Sequence, residues 1–333
     1  MAIHGKFINV IILICALTGL TNAIANDSTS FDSNAFITKL YQQAYSGSPE
    51  AQNQLGSLSV SAHDFKQALD WFHKAAEQGL APAQLNLGLM YLNGQGITQD
   101  FKQAFDWFHK AAEQGLAPAQ FNLGLMYLNG QGITQDFKQA FDWYRKAAEQ
   151  GFAPAQSNLG AMYYTGQGVA QNFKLAIDWI RKAAEQGVAI AQSNLGSMYY
   201  TGQGVAQNFK LAVDWYRKAA EQGDTTAQYK LGVMYTGGEG VSKDFKQAGY
   251  WYRKAAEQGD ALSQYKLGLF YRLGFGGKKD LMQSYAWLSA SAANGYAESA
   301  KYRDDTASML TSKQLEKAQA LGLLYFDKYK SNN

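Results

Sequence analysis

The residues of this 333-residue chain that could do chemistry are few, and their spacing is the first thing to test. The histidines are His4, His63, His73 and His109, and neither His-x-His nor His-Glu-x-x-His occurs, so no metal site is expected. Ser263-Gln264-Tyr265-Lys266 has the Ser-x-x-Lys spacing of serine-acylating enzymes. Its companion motifs, Ser-Asp-Asn and Lys-Thr-Gly, are absent, and position 263 is alanine in every earlier copy of the repeat described below. Gly-x-Gly pairs recur at 94/96 and 130/132, but no strand precedes them, so they read as turns and not as a dinucleotide cradle. Asp106/Lys110 and Asp142/Lys146 stand at i, i+4 with the acid first. They read as solvated pairs on a helix face, worth about 0.2–0.5 kcal/mol each. No catalytic residue and no cofactor is expected from these patterns.

The elements that would carry such residues are set by composition and by a leader. At 47% hydrophobic and 17% charged, the chain is too apolar for a disordered protein. A net charge of +3, with basic and acidic residues interspersed, argues against a nucleic-acid surface. Residues 1–25 read as a secretory signal: Lys6, an apolar run from Phe7 to Leu20, then Ala23-Ile24-Ala25 as a small-x-small cleavage site. The run is short of the roughly 20 residues a spanning helix needs, so no stable membrane insertion is expected after cleavage. Cys15, the only cysteine, leaves with the leader. The mature chain then has no thiol nucleophile, no cysteine metal site and no disulfide.

The rest of the chain is repetition. All seven tryptophans (Trp71, Trp107, Trp143, Trp179, Trp215, Trp251 and Trp287) are 36 residues apart. Residues 64–99 and 100–135 differ only as Leu69 against Phe105 and Leu85 against Phe121. One unit resolves into two helices. Pro82 begins the first, and Pro49 is read as filling the same slot of a shorter first unit. Ala83, Leu87 and Met90/Tyr91 form its stripe, and Asn93-Gly94-Gln95-Gly96 stops it. Asp100 starts the second helix, with Gln103 completing an Asp version of the capping box. Its buried stripe is predicted as Ala104, Trp107, Phe108 and Ala111, the tryptophan filling the volume that the small residues leave, so that Trp→Ala in a middle unit costs about 3–5 kcal/mol. A lone hairpin cannot bury its apolar face, so copies must stack into an all-α solenoid.

These residues resemble the Sel1-like repeat family, relatives of the tetratricopeptide repeats. The matching pattern runs from Ala119 through Leu123, Gly124, Tyr127, Gly130, Gly132, Asp136, Ala140, Trp143 and Lys146 to Gly151. The resemblance implies a right-handed α-solenoid of stacked helix-turn-helix repeats that holds other proteins, and it carries over no catalytic residue. Signal-bearing bacterial members are associated with cell-envelope processes and host interaction. Some cysteine-rich secreted relatives are linked to β-lactam binding or hydrolysis, but their paired cysteines are absent from this mature chain. The organisation read from these patterns is a signal peptide at 1–25, a lead-in at 26–34 and a capping helix at 35–48. Seven repeats follow at 49–79, 80–115, 116–151, 152–187, 188–223, 224–259 and 260–295, then a helical cap at 296–333.

Comparison among copies points to a surface. On the first helix, positions 83, 84, 87, 88, 90 and 91 hardly change, whereas 85, 89 and 92, with 86 and 93 beside them, vary on the opposite arc. That arc holds Leu85, Leu89 and Leu92, then Phe121, Leu125 and Leu128, then Tyr164, Tyr200, Tyr229 and Tyr265. It is read as the concave partner-binding face, aliphatic at one end and tyrosine-rich at the other. The alternative is that these positions touch the neighbouring unit. The function expected is that of an exported, monomeric, non-catalytic adaptor for a protein or peptide, periplasmic by leader style and family habit. A peptidoglycan-fragment binder and a β-lactamase-like hydrolase are the alternatives.

Overall fold

The computed structural model describes residues 33–330, so the signal peptide and most of the lead-in lie outside the described residues. Seventeen helices and no strand occur among the described residues. The first is α1, Ser33–Tyr45. The seven hairpins then pair a first with a second helix: α2 Pro49–Ser61 with α3 Phe65–Glu77, α4 Ala81–Asn93 with α5 Phe101–Glu113, α6 Ala117–Asn129 with α7 Phe137–Glu149, and α8 Ala153–Thr165 with α9 Phe173–Glu185. The series continues with α10 Ala189–Thr201 and α11 Phe209–Glu221, α12 Thr225–Gly237 and α13 Phe245–Ala256, and α14 Ala261–Leu273 and α15 Leu281–Ala293. Helices α16 Glu298–Ala307 and α17 Ser312–Lys328 follow. The chain is an all-α solenoid whose contacts group it into two compact units, dividing between Trp179 and Ile180.

Local chemistry sets the helix ends. Asp100 Oδ1 accepts the backbone N–H of Lys102 and Gln103 at 2.9 and 3.0 Å. The second half of the predicted capping box is not made, because the Asp100 N–H donates to the Tyr91 carbonyl at 2.9 Å and ties the turn to the preceding helix. The complete reciprocal box forms at Thr311 and Gln314. Pro82 occupies the second position of α4, whereas Pro49 is the first residue of α2, so the two prolines do not share a slot. Gly94 ends α4 in the left-handed conformation, at φ +66°. Gly96, at φ +73°, has a second constraint: a Cβ there would come within 2.5 Å of the Phe65 carbonyl oxygen, at the start of the previous repeat's second helix.

The predicted stripe of the second helix is buried to different depths: Trp71, Trp143, Trp251 and Trp287 belong to the core, and Trp107 does not. Trp107 is half-buried, while Phe108 beside it is 0% exposed. The same slot is filled by Phe72, Tyr144, Tyr216, Tyr252 and Leu288, all buried. Each lies against the glycine of its partner helix. A Cβ on Gly88 would stand 2.7 Å from the Phe108 ring, and one on Gly124 would stand 2.7 Å from the Tyr144 ring. The glycine recurs between copies because a large apolar side chain, aromatic in most of them and Leu288 in the last, occupies the volume of its missing side chain. Trp107 instead carries Lys110, whose Nζ sits 3.9 Å from the ring centroid, and Lys146 does the same over Trp143 at 3.8 Å. The predicted Asp106/Lys110 pair is therefore replaced by a cation–π contact, and Asp106 meets Lys102 at 3.6 Å.

A thread of buried amides joins the repeats. Gln84 Nε2 donates to the Ala76 carbonyl of the previous repeat at 3.2 Å, and Gln84 Oε1 accepts from Gln114 of its own repeat at 2.7 Å. Gln120 repeats the arrangement with Ala112 and Gln150, and Gln228 with Ala220 and Gln258. Each glutamine adds a second donor to a carbonyl in the last turn of the previous repeat's second helix, which already accepts the N–H of the glycine three residues on. At the carboxyl end, Tyr329 stacks on Trp287 at 5.3 Å and its carbonyl accepts from Gln264 and Asn294.

Candidate functional site

The variable arc divides in character between the two units. In residues 33–179 it is closed. Leu85, Leu89 and Leu92 are buried in one cluster with Phe108, Leu123, Met126 and Trp143. Phe121 is 0% exposed, with its ring 5.7 Å from Tyr144 and 5.5 Å from Phe152. Leu125 and Leu128 are buried, and Tyr164 is buried edge-on to Phe173 at 5.2 Å. The expectation of an open face is corrected for these seven residues: they pack against the stack and offer no contact surface. The physical reason is that a helix apolar on every side is stable only when covered on every side, and here the neighbouring hairpin covers it.

In residues 180–333 the arc changes. Tyr200 and Tyr229 are half-exposed, and so is Lys230, the residue after Tyr229 on α12. The Tyr200 hydroxyl donates to Glu239 at 2.9 Å, and its ring lies edge-on to Phe209 at 5.3 Å. The Lys230 Nζ is 5.7 Å from the Tyr200 ring centroid. Tyr229 leans on Tyr252 at 6.0 Å. Tyr265, the last predicted residue, is buried under Tyr296 and Tyr302 at 4.9 and 5.5 Å, so it too is withdrawn from the surface. The structure thus brings two of the ten predicted residues together on an accessible patch.

Electrostatics mark the same patch. Burial pushes the Tyr200 phenol up, and the hydrogen bond to Glu239 adds to the shift. Burial also raises Tyr229, helped by the negative charge of Asp260. Burial lowers the Lys230 ammonium. The Tyr200 hydroxyl is engaged by Glu239, so the patch offers the Tyr229 hydroxyl, two aromatic faces and one incompletely solvated cation, which suits polar contacts to a peptide backbone or acidic side chain. Lys230 fills the slot of position 86, which borders the arc but is not among its predicted contact residues, and Glu239 lies outside the arc altogether. A signal was present: Asn86, Asn122, Asn158 and Asn194 give way to Lys230, and Gln95, Gln131, Gln167 and Gln203 give way to Glu239.

The residues singled out for acylation and metal chemistry take structural roles. Ser263 is buried in the stack, its hydroxyl without a hydrogen-bond partner among protein atoms. His73 and His109 each approach a glutamate one turn on, at 3.4 and 3.6 Å, and each lies edge-on to the next repeat's tryptophan.

Stacked αα-hairpins, closed by aromatic-on-glycine contacts and linked by buried amides, define an α-solenoid of the protein-binding class. The chain belongs to the Sel1 repeat family: seven consecutive Sel1 repeats match at residues 49–80, 81–116, 117–152, 153–188, 189–224, 225–260 and 261–296. A Sel1 repeat protein from Oxalobacter formigenes is 36% identical, with 72% of this chain and 96% of that chain covered and a TM-score of 0.66. A protective antigen of uropathogenic Escherichia coli with an SLR fold is 30% identical over 88% of this chain and 94% of its own, with a TM-score of 0.36. No curated relative matches the chain. Proteins of this family generally mediate protein–protein interaction, and the scaffold is typically non-catalytic. Among the described residues no helix is long and apolar enough to cross a membrane.

Proposed function

We propose that this protein is an exported adaptor that holds a protein or peptide partner against the accessible part of its variable arc, around Tyr200, Tyr229 and Lys230. The observation that carries this reading is the contrast within the arc. Its leucine-rich part is consumed by stacking, whereas these three side chains stay half-exposed. Tyrosine contributes contact area with little conformational entropy to lose, and a partly desolvated lysine favours an acidic partner group. Export rests on the leader pattern at 1–25, and the periplasm is the compartment proposed.

Proximity labelling from the native compartment tests the adaptor reading, with wild type compared against Tyr229→Ala combined with Lys230→Glu. The expected outcome is a partner whose labelling falls in the double variant while helical content by circular dichroism stays constant. An unchanged set of labelled proteins refutes this surface. Sedimentation of the variant with insoluble peptidoglycan, at wild-type levels or below, separates the glycan reading. Mass spectrometry of the periplasmic protein is expected to show a chain starting after residue 25.

A further inference from the structure

The sixth and seventh repeats break the pattern of their predecessors at several positions, and the breaks meet in one place. Gly249 stands where earlier copies hold Leu69, Phe105, Phe141, Ile177 and Val213. In those copies the ring of Phe105 meets Tyr127 edge-on at 5.4 Å, and Phe141 meets Tyr163 at 5.3 Å. Tyr271 is the equivalent tyrosine, and Gly249 leaves it without that ring. A Cβ at position 249 would have only Phe270 nearby, at 3.7 Å. Gly277 stands where Ile97, Ile133, Val169, Val205 and Val241 stood, and a Cβ there would meet nothing. Between α13, α14 and the following turn, a cleft of about 350 Å³ opens at the place of these two missing side chains.

Loss of side chains alone would leave a neutral hollow, and this cleft is not neutral. Tyr250 replaces the aspartate found at 70, 106, 142, 178 and 214. Phe275 replaces Gln95, Gln131, Gln167, Gln203 and Glu239, and Lys278 replaces Thr98, Thr134, Ala170, Ala206 and Ser242. Phe275 stacks on Phe245 at 4.5 Å and 6°, and Phe270 closes against both rings at 5.5 and 6.0 Å. Arg253 donates to the Tyr271 hydroxyl and holds that ring in place. Lys246, Arg253 and Lys278 are the charged side chains of the lining, which contains no carboxylate. Tyr250 and Phe275 remain 49% and 41% exposed at its edge. The volume lies at the lower end of the range for ligand pockets, enough for one aromatic side chain with its flanking backbone.

We propose that this cleft anchors a peptide segment of a partner protein. The segment inserts an aromatic side chain beside Tyr271, where two of the earlier repeats place the ring of Phe105 or Phe141, and sets flanking carboxylates against Lys246 and Lys278. The occupant's charge follows from the cationic, carboxylate-free lining, and its aromatic character from the vacated ring position. The cleft uses Leu267, Phe270 and Tyr271 of α14, which face the stack, and not the variable arc, so this site and the Tyr200/Tyr229 patch stand or fall separately.

The test is calorimetric titration of the full chain with a synthetic peptide carrying one phenylalanine flanked by two glutamates on each side. Saturable binding is expected, reduced about tenfold or more when the peptide's phenylalanine becomes alanine, and weakened by added salt. Gly249→Phe restores the residue of the earlier repeats and should abolish binding with an unchanged or raised Tm. Lys278→Glu should weaken binding without moving the Tm, which keeps the test decisive if Gly249→Phe folds poorly. Absence of saturable binding, equal binding of the alanine peptide, or binding indifferent to Gly249→Phe and Lys278→Glu overturns the proposal.

Discussion

Replacing Gly124 by alanine tests the contact that closes each hairpin. The new Cβ would stand 2.7 Å from Tyr144 Cε1 and 2.8 Å from Cδ1. Both atoms belong to a ring that is 0% exposed and also packs on Phe121, with ring centroids 5.7 Å apart. The ring cannot withdraw, so overpacking should cost about 1–3 kcal/mol. Alanine is the better helix former by about 1 kcal/mol, which offsets part of that loss. The net effect in wild type is therefore a destabilisation of about 0–2 kcal/mol. Tyr144→Ala alone should cost about 3–5 kcal/mol, the range for a large buried ring. With the ring gone, Gly124→Ala should change sign and stabilise by about 1 kcal/mol, so the cycle carries a coupling of about 1–3 kcal/mol. Gly115→Ala is the control: its Cβ would meet nothing within 4 Å, but its φ of +89° is strained for alanine, and it should cost about 1–2 kcal/mol alike in both backgrounds. Repeat arrays do not always unfold as one step, so amide hydrogen exchange across 117–149 should accompany urea denaturation. Additive effects of Gly124→Ala and Tyr144→Ala would refute the aromatic-on-glycine account.

Two further outcomes follow from the same packing. Phe108→Ala should cost about 3–5 kcal/mol, while Trp107→Ala, at a half-buried site, should cost about 1–2 kcal/mol; the reverse order in urea titrations would return the anchor role to the tryptophans. Burial raises the phenols of Tyr144, Tyr216 and Tyr252, the last to about 12. Below the unfolded value of about 10 both states keep these protons, and above it the unfolded chain loses them first. Stability is therefore complete below pH about 10 and falls as pH rises through the folded values. The tyrosinate absorbance of the buried rings should appear together with loss of helical signal; earlier ionisation in a still-helical chain would contradict it.

The extent of the candidate surfaces was only partly legible beforehand. Variation among copies marked the arc, but variation accompanies both an external contact and a changing neighbour. Leu85 and Phe121 vary because the rings and hairpins beside them differ, whereas Tyr200 and Tyr229 lie where the cover is incomplete. The cleft beside Tyr271 had its signal in Gly249, Tyr250, Phe275, Gly277 and Lys278. These lie on α13 and on the turn after α14, and only folding brings them to one place.

By itself, the sequence determined the all-α repeat, its period of 36 and the kind of residue each turn and cap requires. Those are local matters: a left-handed backbone selects glycine, a free helix start selects aspartate, and the apolar spacing selects a helix. Only the tertiary structure decided that Phe108 and not Trp107 is the deeper anchor. It also decided that Lys110 rests on the tryptophan rather than on Asp106, and which tyrosines of the arc reach solvent. Burial depends on how closely one hairpin seats on the next. That distance is set by side chains from different helices competing for one volume, and the pattern along any one helix does not show its competitor.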